Sequence, residues 1–126
     1  MYELIGTGLF AMVFFATGAG SGRILLALWI LTVFCFKISG SHFNPIVSFV
    51  FMLRADTGGL PRALALFYML AQLLGAYCGC LLMTWLENDF IPMSPVNFDG
   101  DDTDNTLRAC IQETIGGFVY VFMFMA

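Results

Sequence analysis

Apolar residues run along this chain in long stretches that polar residues interrupt at only a few points. The first stretch covers residues 2–19, the second 23–38, the third 62–86 and the fourth 107–126. Turns with Gly, Ser and Pro separate several of them, as at residues 18–22 and 58–61. A helix needs about 20 apolar residues to cross the hydrocarbon of a bilayer. The pattern therefore predicts four transmembrane helices.

A fifth apolar segment, residues 46–53, is too short to cross a bilayer. Gly40, Asn44 and Pro45 introduce it, and proline suits the first turn of a helix because its missing N–H would be unpaired there anyway. Irregular backbone at membrane depth is tolerated only where protein buries it or where it lines a water-filled cavity. The sequence therefore predicts a re-entrant loop, residues 39–53, that ends in a half-helix beside a cavity.

Composition supports a membrane protein and excludes several other classes. Of the 126 residues, 60% are hydrophobic and 11% are charged, far from a soluble average. The formal net charge is -4, and most acids lie in the polar segment 87–106, which we expect to be a wet, acidic loop. The five basic residues are dispersed along the chain and form no basic patch of the kind that binds nucleic acid. No clustered ligands, activated nucleophile or phosphate loop appears, so we expect neither metal, cofactor nor enzyme activity.

The first and fourth stretches open alike. Residues 3–6 read Glu-Leu-Ile-Gly and residues 113–116 read Glu-Thr-Ile-Gly. Because the second copy begins three spans after the first, the two copies enter the membrane from opposite sides, as in an inverted repeat. We therefore divide one membrane domain, 1–126, into a first repeat at 1–86, the acidic loop and the first helix of a second repeat at 107–126.

Residues 38–48, Ile-Ser-Gly-Ser-His-Phe-Asn-Pro-Ile-Val-Ser, resemble the first pore loop of the aquaporin and glycerol-channel family, the major intrinsic proteins. The Ala-Gln-Leu-Leu-Gly-Ala of residues 71–76 and the opening Glu3 resemble it too. The resemblance extends over nearly the whole chain. It implies an all-α membrane protein, an aquaporin-like half with four transmembrane helices plus one re-entrant half-helix.

The resemblance also implies roles in a pore. The start of a half-helix presents unpaired N–H groups and the positive end of a dipole, which disfavours cations and protons. Asn44 would offer its side-chain N–H to a passing water or hydroxyl, and Pro45 and Ile46 complete its motif. An ordinary helix cap is the alternative for Asn44. The acceptors along the path would be the backbone carbonyls of Gly40, Ser41, His42 and Phe43.

Three polar residues are implied to brace the re-entrant loops: Glu3, Gln72 and Glu113. An acid at membrane depth is costly unless it is paired or hydrogen-bonded, although Glu3 could instead snorkel at a helix end. The ring of His42, the only histidine, would brace the loop as well.

Two positions depart from the family pattern. Ile24, 20 positions before the loop Asn, would contribute to the outer filter, where the family often has an aromatic residue. Ile46 replaces the usual Ala and would alter the contact between two half-helices. Small neutral solutes such as glycerol therefore remain possible besides water.

The implied function is passive passage of water or small neutral solutes. The family pore also needs a second half, which a partner chain or a longer chain would supply. A non-conducting accessory subunit of a larger membrane complex is the alternative. The resemblance further implies a homotetramer among membrane lipids, in a plasma or organellar membrane such as the mitochondrial inner membrane.

Overall fold

The computed structural model describes residues 1–16, 20–54, 58–87 and 103–125. These residues form five α-helices and no strand, so the predicted all-α class is confirmed. The helices are α1 (Tyr2–Phe15), α2 (Ser21–Ser39), α3 (Pro45–Leu53), α4 (Arg62–Glu87) and α5 (Thr103–Met125).

The chain divides into two compact units, Met1–Ile91 and Pro92–Ala126. The first unit contains α1 to α4 and the second contains α5. Helix α5 begins at Thr103, so the end of the segment predicted as acidic loop is helical. Its sequence opens with Thr, Asp and Asn, residue types that favour helix starts. Residues 88–102 of that predicted loop lie outside the described residues.

Helices α2 and α4, with 19 and 26 residues, are long and apolar enough to cross a bilayer. Helix α1 has 14 described residues, and residues 17–19 of the first predicted span lie outside the described part. Helix α5 has 23 residues but carries Arg108, Gln112 and Glu113, which lower its apolar character. No residue of α2 is buried. Its apolar side chains therefore need lipid or another chain to cover them.

Glycine residues allow α1 and α4 to pack closely. A Cβ at Gly75 would overlap the backbone oxygen of Leu4, and a Cβ at Gly79 would overlap that of Gly8. The spacing of Ala71, Gly75 and Gly79 predicts such a close approach, because small residues every four positions form one smooth helix face. The structure adds that α1 is the partner.

The connection between α2 and α3 is short and specifically capped. Helix α2 is followed by the capping residue Gly40, whose φ is 85° and whose N–H donates to the carbonyl of Phe36 at 3.0 Å. Asn44 caps α3: its side-chain oxygen accepts from the N–H of Ile46 at 2.9 Å, with Pro45 at the first helical position. The 9 residues of α3 extend for roughly 14 Å. Helix α3 is therefore a half-helix by length, as predicted.

Candidate functional site

The carboxylate of Glu3 lies beneath the loop between α2 and α3, with only 2% of the residue exposed. Its Oε1 accepts from Ser39 Oγ at 2.5 Å and from the backbone N–H of His42 at 3.2 Å. Its Oε2 accepts from the N–H of Phe43 and from Gln72 Nε2, both at 2.8 Å. A carboxylate has about four acceptor positions, so these four donors use its capacity and offset its burial.

The loop backbone takes an uncommon conformation. Ser41 and Phe43 have φ values of 52° and 44°, in the left-handed region that side chains disfavour. Gly40 shares that region, and a Cβ there would lie 3.2 Å from Nε2 of His42. The hydroxyl of Ser41 donates to the carbonyl of Thr32 in α2 at 3.0 Å. The hydrogen bonds of the Glu3 carboxylate and of the Ser41 hydroxyl thus hold a backbone that has little intrinsic preference for this conformation.

A second set of polar contacts fixes the ring of His42. Its Nδ1 lies 3.0 Å from Oγ of Ser48, and that oxygen accepts from Gln72 Nε2 at 2.9 Å. The ring packs against Phe51 and Tyr68, with centroid distances of 4.8 and 5.6 Å. Ser48 and Gln72 are fully buried. The ring is therefore held by both α3 and α4.

An open groove of about 310 Å³ runs beside Asn44 and Pro45. Its other walls are largely apolar and include Phe10, Phe14 and Phe43. The ring of Phe43 lies directly against Gly6. It fits there because glycine has no side chain, and a Cβ at Gly6 would overlap the ring. Asn44 lines this groove, and because its Oδ1 is occupied by the cap, the two Nδ2 hydrogens are its side-chain donors that take no part in the cap.

The structure brings together most of the residues that the sequence singled out. Glu3, Gln72 and His42 meet at the loop, next to Asn44. Ile24 lies at the opposite end of α2, half-buried, roughly 22 Å of helix away from Ser39.

Two further predicted residues have exposed side chains. The side chain of Ile46 is 58% exposed. Glu113 belongs to the second unit, where its side chain is exposed.

Two residues of the site were given no role by sequence reasoning. Ser39 donates to Glu3, and Ser48 joins Gln72 to His42. A signal was present for Ser48, since it is the only polar residue of residues 46–53. A lone hydroxyl inside an apolar helix of a packed structure needs a hydrogen-bond partner.

Comparison with known proteins agrees with these features. Residues 17–126 match the family model described as major intrinsic protein. The chain is 31% identical over 98 residues to the probable aquaporin TIP3-2 of Arabidopsis thaliana, covering 78% of this chain and 34% of that protein. It is 39% identical over 89 residues to the probable aquaporin PIP2-8 of the same plant, covering 68% of this chain and 30% of that protein.

Aquaporin TIP4-1 of Zea mays is 30% identical over 98 residues, covering 78% of this chain and 36% of that protein. The chain thus spans about a third of the length of the relatives it matches. No solved structure matches it. The family model covers far more than half of the chain, including the loop with Asn44 and Pro45. The chain is therefore an integral, multi-pass membrane protein that belongs to the major intrinsic protein family.

Proposed function

We propose that this chain forms one half of a passive channel for water or small neutral solutes such as glycerol. The observation that carries the proposal is the position of Asn44. Asn44 lines the groove at the start of α3, and its Oδ1 is bound by the N–H of Ile46, so its Nδ2 donors are the ones left for another partner. A solute that moves along this groove would meet a hydrogen-bond donor where the wall is otherwise mostly apolar.

Hydrogen-bond acceptors and the electrostatic potential of α3 complement the donor of Asn44. The carbonyls of Gly40, Ser41, His42 and Phe43 precede α3 and lie outside the helices, so they are not committed to helical hydrogen bonds. The first N–H groups of α3 and its dipole give the same end of the groove a positive potential. A neutral molecule with both donors and acceptors is favoured there over a cation or a proton.

The remaining predicted residues support this path. In the proposal Glu3 and Gln72 brace the loop, and Glu113 has the matching role in the second repeat. Ile24 contributes to the outer filter, and the exposed Ile46 contacts the second half-helix. A partner chain or further residues of a longer chain complete the pore, and the completed channel forms a homotetramer in the lipid bilayer.

A chimera tests the proposal. The segment of this chain that aligns with PIP2-8, 68% of the chain, would replace the corresponding segment of that protein. The purified chimera, reconstituted in lipid vesicles, would be assayed by stopped-flow light scattering under a water gradient and then a glycerol gradient. We expect osmotic permeability well above that of empty vesicles, and Asn44→Ala should remove most of the increase.

The matched control is Thr84→Val, because that hydroxyl bonds only the carbonyl of Cys80 within α4. It should conduct like the unmodified chimera. A folded chimera that conducts no more than empty vesicles would contradict the proposal and favour the accessory-subunit alternative. Unchanged permeability after Asn44→Ala would remove Asn44 from the path.

A further inference from the structure

Ser48 makes the contacts of a linking residue. It is fully buried in α3, and its Oγ lies 2.9 Å from Nε2 of Gln72 and 3.0 Å from Nδ1 of His42. Gln72 in turn donates to Glu3. One continuous series of side-chain hydrogen bonds therefore runs from Glu3 through Gln72 and Ser48 to the ring of His42.

The direction of each hydrogen bond follows from the carboxylate. Both oxygens of Glu3 accept from other donors, so the Gln72 atom at 2.8 Å must be the amide nitrogen. The second hydrogen of that nitrogen points to Ser48 Oγ. Ser48 therefore accepts from Gln72, and its own hydrogen is available to another group.

Two acceptors lie near that hydrogen. Nδ1 of His42 is 3.0 Å from Ser48 Oγ, whereas Oε1 of Gln72 is 3.3 Å away and belongs to the amide that already donates to Ser48. The shorter contact favours Nδ1 as the acceptor. A neutral imidazole that accepts at Nδ1 carries its hydrogen on Nε2.

We infer that Ser48, oriented by Gln72, is a positioning residue that holds His42 as the neutral Nε2–H tautomer. The inference rests on the proposed function for its relevance to conduction, since Nε2 lies beside Gly40, the first residue of the carbonyl path. Ser48 thereby presents the donor side of the ring to that part of the loop.

The same series of hydrogen bonds lies between an acid, the carboxylate of Glu3, and a base, the imidazole of His42. Among the described residues, Glu3 in α1 contacts the backbone N–H of His42 and Tyr68 in α4 packs against its ring, while α3 contributes the apolar Phe51. Glu3 is linked to the ring through the amide of Gln72 and the hydroxyl of Ser48, while it binds the backbone N–H of His42 directly. A carboxamide does not readily accept one proton and release another. The series therefore orients the ring without passing protons from Glu3.

The single histidine of the chain makes a direct test possible. The full chain would be labelled with ¹⁵N-histidine, reconstituted in phospholipid bilayers and studied by solid-state NMR at a pH where the ring is neutral. We expect a protonated Nε2, an unprotonated Nδ1, and magnetisation transfer from the Ser48 hydroxyl hydrogen to Nδ1.

Ser48→Ala should lower the ratio of the Nε2–H to the Nδ1–H tautomer about fivefold, the effect of one ordinary hydrogen bond. Ser48→Thr should restore the ratio, because it keeps the hydroxyl. Thr84→Val is the control and should leave the ratio unchanged.

An Nδ1–H tautomer in the unmodified chain would overturn the inference, even if the Ser48 variants do not fold. A ratio that is insensitive to Ser48→Ala would overturn it too. Neither of these NMR measurements depends on conduction. A chimera that fails to conduct, together with the expected tautomer, would refute the proposed function alone.

Discussion

At the scale of single residues, the carboxylate of Glu3 determines the shape of the loop. Ser41 and Phe43 have left-handed backbone conformations, each of which costs on the order of 1–3 kcal/mol. Hydrogen bonds to a charged group contribute roughly 1.5–3 kcal/mol each, and Glu3 accepts two from the backbone of residues 42 and 43. The two effects are of similar size, so the loop conformation depends on this side chain.

Replacement of that carboxylate should release the loop. Glu3→Gln keeps the size of the side chain but places an amide donor against groups that are donors themselves. We expect a loss of about 3 kcal/mol of stability, and amide hydrogen exchange at His42 and Phe43 at least about tenfold faster. Thermal unfolding in detergent and hydrogen-exchange mass spectrometry measure the two effects.

Thr84→Val is the control, because the hydroxyl of Thr84 bonds the carbonyl of Cys80 within α4 and does not touch the loop. It should change stability by less than about 0.5 kcal/mol. Equal effects of the two substitutions, or unchanged exchange at the loop in Glu3→Gln, would show that Glu3 does not hold the loop.

The sequence predicted part of this site and not the rest. Asn44 and Pro45 were identifiable because an Asn-Pro pair within an apolar chain marks a local helix start. The contact between Glu3 and the loop joins residues about 40 positions apart, and it came from family resemblance rather than from local pattern. Ser48 was missed because its partners come from a distant helix and from the loop.

At the scale of helices, the α1–α4 contact depends on the absence of side chains. The spacing of Gly75 and Gly79 predicts a smooth face on α4, but a pattern along one helix does not identify what lies opposite. The structure places the backbone oxygens of Leu4 and Gly8 there. The partner could not be read from α4 alone, because backbone atoms are the same in every sequence.

A single methyl group should disturb this contact. Gly79→Ala places a Cβ against the backbone oxygen of Gly8, which cannot move without shifting α1. We expect a loss of about 1–3 kcal/mol, measured as a lower midpoint of thermal unfolding in detergent. Gly22→Ala in α2 is the control, since a Cβ there meets nothing within 4 Å.

Alanine is the better helix former, so the control should be neutral or slightly stabilising. A Gly79→Ala variant as stable as the unmodified chain would indicate that the helices separate easily at this point. Destabilisation by both substitutions would instead indicate a general intolerance of added methyl groups.

At the scale of the whole molecule, apolar surface decides which environment the first unit occupies. The length and composition of the stretches were enough to predict an all-α membrane protein, because lipid requires long apolar helices. Helix α2 has no buried residue, and Trp29 near its middle is 65% exposed. Trp85, two residues from the end of α4, is 74% exposed. These two tryptophans can report where each helix lies in the bilayer.

The positions of the tryptophans predict different depths. Trp29 is central in α2, whereas Trp85 lies roughly 16 Å along α4 from the middle of that helix, near the edge of a hydrocarbon core about 30 Å thick. In vesicles of lipids brominated at defined depths, Trp85→Phe leaves Trp29 as the only tryptophan, and we expect deep bromines to quench it most. Trp29→Phe should report shallow quenching of Trp85. Equal, shallow quenching of both would contradict a transmembrane α2, while a Trp29 that no bromine reaches would show that another protein chain, rather than lipid, covers this helix.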